Sequence, residues 1–246
     1  MYMEDKIIYE VLRVIDGKPL FLEKHLARME NSFKLINKTF TLKYEDICAR
    51  INKLIKYENK NMGNIKITYK VNEDKLDIFF IKHFYPTEDM YENGVKTILY
   101  FGERENPNAK IINDDFRNKV TKQIEEHNAF EAILIDRNGF ITEGSKSNIF
   151  MVKDNKLLTS QTKAVLPGVT RGEVIELAKE CGIEVEEVEY SYKDIYKLDG
   201  MFISGTSPKV LPINSVDNIE LNPKNDIVLK LMKKYNDAVE KYIKNK

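Results

Sequence analysis

The chain has 246 residues, of which 42% are hydrophobic and 10% aromatic, enough to bury one large core or two modest ones and too many for a disordered chain. Its 39 basic and 39 acidic residues cancel and are interspersed, so no basic stripe points to nucleic acid. No window approaches the ~20 apolar residues of a membrane span, and the first residues lack an apolar stretch of signal-peptide length, which predicts a cytoplasmic protein with no membrane partner.

The β-branched run at 7–15 reads as a strand, and Asp16-Gly17-Lys18-Pro19 as a turn into a second short strand, Leu20-Phe21-Leu22. Leu26, Met29, Phe33 and Ile36 then recur at helical spacing, which leaves His25 and Arg28 three apart on a neighbouring face. A second helix over 44–57 and strands over 64–71 and 75–84 complete a small α+β unit. Residues 85–89 show no periodicity and contain Pro86. They divide the chain into a small N-terminal domain (1–85), a linker (86–90) and a larger C-terminal domain (91–246).

The larger domain opens with a strand at 95–101. The segment that begins at Lys110 carries Val120 and Ile124 at helical spacing, and a buried strand is expected over 132–136. Asn138-Gly139 turns the chain, and the return strand brings Glu143 to the far side of a sheet, where Gly144-Ser145 bends away. Strands follow at 148–153 and 157–160. Thr170 lies at the start of a helix ending near Gly182, so the backbone N–H groups there offer an anion site without a glycine-rich loop. After a strand at 183–190 and a short helix at 193–198, Gly205-Thr206-Ser207 offers a second cradle of amides and hydroxyls. A final helix over 223–244 carries an apolar stripe at Ile227, Leu231, Tyr235 and Val239.

Other chemistries find no support in the residues. Cys48 and Cys181 lack a CxxC partner, and His25, His83 and His127 form no HxH or HxxxH pair, so neither a redox dithiol nor a metal site is expected. The two commonest phosphate loops, GxGxxG and GxxxxGK[ST], are both missing.

Taken together, YEVLRVIDGKPLFLEKHLARM, NAKIIN, ITEGSKSNIF, LPGVTR and ISGTSPKVLPI resemble, in order and in spacing, the class IV aminotransferases. This is the pyridoxal-phosphate family that includes D-amino-acid and branched-chain transaminases and aminodeoxychorismate lyase. The resemblance spans nearly the whole chain. It implies an α/β protein with the D-amino-acid aminotransferase-like fold (fold type IV) and pyridoxal 5'-phosphate as cofactor. It implies Lys110 as the lysine that bonds the cofactor and moves the substrate's Cα proton, and Glu143 as the carboxylate paired with the ring nitrogen. Arg28, Val169, Thr170, Gly205 and Thr206 would form the phosphate cup, Leu166 would lie against the ring, and Tyr9 would stand on the substrate side. An amino acid of branched-chain or D type and a 2-oxo acid are the expected substrates, in a homodimer.

Two departures concern the substrate. Family members carry a strand and a Gly-Asp-Gly-like turn before the position of Tyr9, so part of the substrate wall is expected to be absent or rebuilt. No Arg-x-His pair occurs over 64–84. The alternatives are aminodeoxychorismate lyase, which releases p-aminobenzoate and pyruvate, and a non-catalytic relative acting by interaction. Tyr9-Glu10 resembles the aromatic-Glu pair of the transaminases, where the lyases tend to have threonine.

Overall fold

The structure, a computed structural model, describes residues 6–104 and 106–246. It divides into two compact units. The first comprises Met1–Phe84, Ala109–Ile112 and Val239–Lys246, and the second Tyr85–Asn108 and Asn113–Ala238. The division is therefore not one cut along the chain.

In the first unit, strands β1 (Ile7–Ile15), β2 (Lys18–Pro19), β3 (Gly63–Lys70) and β4 (Lys75–Ile81) form an antiparallel sheet in the order β2-β1-β3-β4. The second strand is earlier and shorter than the sequence suggested. Phe21 adopts a left-handed φ of 51° and Leu22 already opens helix α1 (Leu22–Leu35). Helix α2 (Tyr44–Glu58) follows. Alternation along β1 sends Ile8, Leu12 and Val14 to one face, where they pack with Leu26, Met29 and Phe33 of α1 and Ile47 and Ile51 of α2. Each of these side chains contributes roughly 1.5–3 kcal/mol by leaving water. Residues 109–112 lie along the edge of β1: Tyr9 N–H donates to Lys110 C=O (3.0 Å), Ile112 N–H to Ile7 C=O (3.1 Å), and Ile8 bridges Ile111.

Near the start of the second unit a short helix begins in the stretch where the sequence shows no periodicity. Thr87 caps α3 (Glu88–Asn93) by accepting from Met90 N–H, and Glu88 and Asp89 suit its first turn. Six residues are too few for a period to show. The remaining elements are β5 (Val95–Phe101), α4 (Asp114–Glu126), β6 (Glu131–Ile135), β7 (Ile141–Gly144), β8 (Asn148–Lys153), β9 (Lys156–Ser160), α5 (Val169–Glu180), β10 (Val185–Val188), β11 (Gly200–Gly205), β12 (Lys209–Val216), β13 (Ile219–Glu220) and α6 (Asp226–Lys244).

The strands run β10-β9-β8-β11-β12-β5-β6-β7, and β7 also pairs with β8. That extra pairing closes β8, β11, β12, β5, β6 and β7 into a ring. Ile133, Ile135, Ile141, Ile149, Met151, Met201, Ile203, Leu211 and Ile213 fill one buried cluster inside it. On α6 the buried stripe is Val228, Leu231, Tyr235 and Val239, one residue later at its start than the expected Ile227, which is half-buried. Among the described residues, no helix is long and apolar enough to cross a membrane.

Candidate active site

In the second unit the site is built by strand register. Between β6 and β7, Ile135 pairs with Ile141 and Ile133 with Gly144, so two residues of β7, Thr142 and Glu143, stand opposite Leu134 alone. This bulge breaks the alternation: Ile141 faces the ring's interior, whereas Glu143 turns to the outer face. There Glu143 pairs with Asn148 of β8, and Asn148 pairs with Ser204 of β11, so the three form one row across three strands. All three are buried, and the hydroxyl of Ser204 has no hydrogen-bond partner among the described residues.

The carboxylate of Glu143 is held from two sides. Leu166 N–H donates to its Oε2 over 3.0 Å, and Arg104 Nη1 lies 3.3 Å from its Oε1. Leu166 is fixed in turn because Asn148 Nδ2 donates to its carbonyl (2.9 Å), and Asn108 Nδ2 secures the preceding Val165 carbonyl (2.8 Å). The chain then turns at Gly168, where a Cβ would overlap Asn148 Oδ1.

Helix α5 begins at Val169, so Thr170 is its second residue and Gly168 its N-cap. No side chain caps this helix and no acidic residue lies in its first turn. That contrasts with α4, which Asn113 caps and Asp114 and Asp115 follow. Arg171, a buried cation at the positive end of the helix dipole, is tied to Ser160 C=O (3.0 Å), Thr162 Oγ1 (3.2 Å) and Glu187 (3.1 Å). Thr170 Oγ1 lies 3.5 Å from the Tyr235 hydroxyl. Gly205 ends β11, next to Ser204, and Thr206 opens the turn that leads to Lys209.

The first unit carries the other candidates. The ammonium of Lys110 lies 4.7 Å from the centroid of the Tyr9 ring, and that of Lys66 lies 5.2 Å from it. Tyr9 and Lys66 belong to the positions of β1 and β3 that alternate with the core residues, so they share the sheet face away from the helices. Lys110 N–H donates to Ser32 Oγ (3.2 Å), and Ser32 Oγ donates to Arg28 C=O (3.1 Å), which links the lysine's backbone to α1.

Glu10 points the opposite way from Tyr9, into the core between Ile8 and Leu12, and is 0% exposed. Its charge is met by α1. Arg28 donates from Nε to Oε1 (2.8 Å) and from Nη2 to Oε2 (2.5 Å), and His25 Nδ1 donates to Oε2 (2.8 Å). Burial pushes the Glu10 carboxyl up, but the charge and hydrogen bonds of Arg28, with those of His25, outweigh it and bring the pKa to about 2. Burial lowers the pKa of His25, more than Glu10 raises it.

The expected site residues thus fall on both units: Tyr9, Arg28 and Lys110 on the first, and Glu143, Leu166, Val169, Thr170, Gly205 and Thr206 on the second. Sequence reasoning missed Lys66, Arg104, Asn148, Ser204 and the Glu10 clamp. For Glu10 a signal was present, a lone acid in an inward strand position with His25 and Arg28 three apart on the following helix. The bulge that aims Glu143, and with it the Asn148–Ser204 row, left no comparable mark. Among the described residues, no group of three or more His, Cys, Asp or Glu could hold a metal ion.

Comparison with known proteins gives one family. The model of the amino-transferase class IV family matches residues 7–216. A Methanocaldococcus jannaschii protein, provisionally named a branched-chain-amino-acid aminotransferase, is 31% identical over 96% of this chain and 88% of its own. The D-alanine aminotransferase of Bacillus licheniformis is 28% identical over 85% of this chain and 78% of its own. The crystal structure of the Escherichia coli branched-chain amino acid aminotransferase superposes with a TM-score of 0.85 at 25% identity, covering 95% of this chain and 86% of that one. The chain belongs to the class IV aminotransferases, a family of pyridoxal-phosphate-dependent enzymes with fold type IV.

Proposed function

We propose that this protein binds pyridoxal 5'-phosphate and moves an amino group between an amino acid, of branched-chain or D type, and a 2-oxo acid. The observation that carries this reading is Glu143, a carboxylate turned out of the ring by a bulge and held by Leu166 N–H and Arg104. A buried carboxylate placed in this way suits a protonated ring nitrogen. The other donors fit the rest of the cofactor. The uncapped start of α5 at Val169 and Thr170 and the turn at Gly205-Thr206 suit a phosphate, and the buried hydroxyl of Ser204, without a hydrogen-bond partner among the described residues, supports a polar occupant. Arg28, fixed on one edge by Glu10, is assigned to the phosphate by motif, and Leu166 to the ring face.

When bound, the cofactor supplies a ring that accepts the electron pair released as the substrate's Cα–H bond breaks. Glu143 keeps the proton on the ring nitrogen, which strengthens that acceptance. The Lys110 amine would bond the cofactor at rest; displaced from that bond by the substrate's own amine, it would take the proton from the substrate's Cα and deliver it to the cofactor carbon that had carried the lysine. Lys66, a second ammonium over the Tyr9 ring, suits the substrate's carboxylate in a small unit without an Arg-x-His pair. A homodimer is proposed on the same resemblance, and light scattering that finds a fully active monomer would defeat it.

The test is to load the protein with pyridoxal 5'-phosphate and screen L- and D-amino acids against 2-oxo acids for amino transfer. Formation of pyruvate and p-aminobenzoate from aminodeoxychorismate, faster than any transfer, would replace this reading with the lyase. A protein that stays colourless with added cofactor would end both.

A further inference from the structure

Four residues separate Glu143 from its cross-strand partner Asn148, and they form a tight turn: Gly144 N–H donates to Ser147 C=O (2.8 Å) and Ser145 N–H to Ala132 C=O (3.0 Å). Inside this turn lies Glu131, the first residue of β6, which is 4% exposed. Its Oε1 accepts from Ala132 N–H (2.9 Å), Ser145 N–H (3.0 Å) and the Ser145 hydroxyl (2.5 Å). Its Oε2 accepts from Lys146 N–H (3.2 Å) and the Ser147 hydroxyl (2.8 Å). A single carboxylate thus gathers donors from all three residues of the turn after Gly144. Gly144 itself is confined, since a Cβ there would overlap Ser147 Oγ and come within 3.1 Å of the Glu131 carboxyl.

The turn touches the candidate site at both ends. Glu143 and Asn148 flank it, and together they hold Leu166 by its N–H and C=O. In its middle, the Lys146 carbonyl lies 3.7 Å from where a Cβ of Gly205 would stand, so the turn also packs beside the glycine of the proposed phosphate turn. The bulge leaves β7 only two register pairs with β6, which gives the ladder little power to fix the turn by itself.

We propose that Glu131 is a positioning residue for the proposed amino transfer: it fixes the Ser145–Ser147 turn and, through it, the placement of the Glu143 carboxylate. It touches neither cofactor nor substrate. The inference rests on the function proposed above and assigns a part of the machinery that the motifs did not single out. Glutamine is close to isosteric but turns an NH2 group toward a set of donors, so Glu131→Gln replaces at least one hydrogen bond with a donor–donor clash. A displacement of about 1 Å at a reacting group costs on the order of 10²-fold in rate, and the expected loss in kcat lies between about tenfold and that figure.

The experiment compares wild type, Glu131→Gln and Ser147→Ala in three measurements: hydrogen exchange of the segment 141–148 without cofactor, affinity for pyridoxal 5'-phosphate, and kcat at saturating cofactor. The expected result is faster exchange centred on 141–148, cofactor affinity within a fewfold of wild type, and a reduced kcat. Ser147→Ala, which removes one donor of five, should show the same pattern more weakly. Wild-type kcat in Glu131→Gln at saturating cofactor would overturn the proposal, as would a kcat that falls only in proportion to lost cofactor. If Glu131→Gln does not fold, Ser147→Ala decides by the same readings. A wild-type protein without transferase activity would instead overturn the proposed function, and the exchange measurement would then decide alone whether Glu131 fixes the turn.

Discussion

Glu143 and Asn148 face each other across β7 and β8 and grip the two ends of one residue: Leu166 gives its N–H to Glu143 (3.0 Å) and receives Asn148 Nδ2 on its carbonyl (2.9 Å). Leu166 therefore cannot shift along the chain without breaking both bonds. The carboxylate and the residue assigned to the ring face move as one body.

Glu143→Ala should retain the cofactor, because Lys110 and the proposed phosphate donors remain, but should slow Cα deprotonation by about 10²-fold, the scale of a lost electrostatic partner. Single-turnover kinetics with the best substrate would measure it. A wild-type rate would reduce Glu143 to a structural carboxylate.

Lys110→Ala removes both the proposed covalent anchor and the proposed proton carrier. Turnover should be lost, and borohydride should no longer fix cofactor to the protein, although cofactor can remain bound noncovalently. Mass spectrometry of the reduced, digested protein checks this. Label on a peptide containing Lys119 instead would move the anchor there.

Lys66→Ala should raise KM for the substrate about tenfold, the order of one charge-assisted hydrogen bond, and leave cofactor affinity unchanged. An unchanged KM across the whole substrate panel would remove Lys66 from substrate recognition.

The Glu10 cluster predicts an acid-sensitive fold. The folded pKa of Glu10, about 2, lies below its ordinary 4.5, so its contribution is complete above 4.5 and is lost as the pH falls toward 2. The difference corresponds to about 3 kcal/mol. His25 acts in the same direction and starts higher, since its folded pKa also lies below its ordinary 6.5 and the unfolded chain takes up the proton first. Urea unfolding followed from pH 7 downward should show stability falling below about 6.5 and more steeply below 4.5. Glu10→Gln should be destabilised by roughly 3–5 kcal/mol at pH 7, because Arg28 remains buried without its counter-charge.

Much of this was legible in the sequence. Helices α1, α2 and α4 declared themselves by apolar spacing, and β1, β3, β6 and β8 by β-branched runs. What could not be read depends on non-local geometry. The left-handed Phe21, which cuts β2 short, is an unusual backbone state for an aromatic residue, and α3 is too short for a period to appear. Nothing in Thr142-Glu143 announces a bulge, yet it decides which way the candidate carboxylate faces. The motifs named candidate site residues; the register that gathers Asn148, Ser204 and Glu131 around Glu143 had to be seen.

The composition of the first unit bears on how the protein is made. It takes in Ala109–Ile112 and Val239–Lys246 besides its N-terminal portion. At the end of the chain, Tyr242 donates to Glu23 (2.7 Å) and its ring packs on Phe21 at 4.7 Å, while Lys18 Nζ reaches the Ile243 carbonyl (2.9 Å). A ribosome releases Phe21 and Glu23 long before Tyr242, so the part of the protein synthesised first is the last to be completed. Nascent chains arrested before residue 239 should expose Phe21 and Leu22 to chaperones, and pulse proteolysis of such stalled chains should cut this unit in preference to the second.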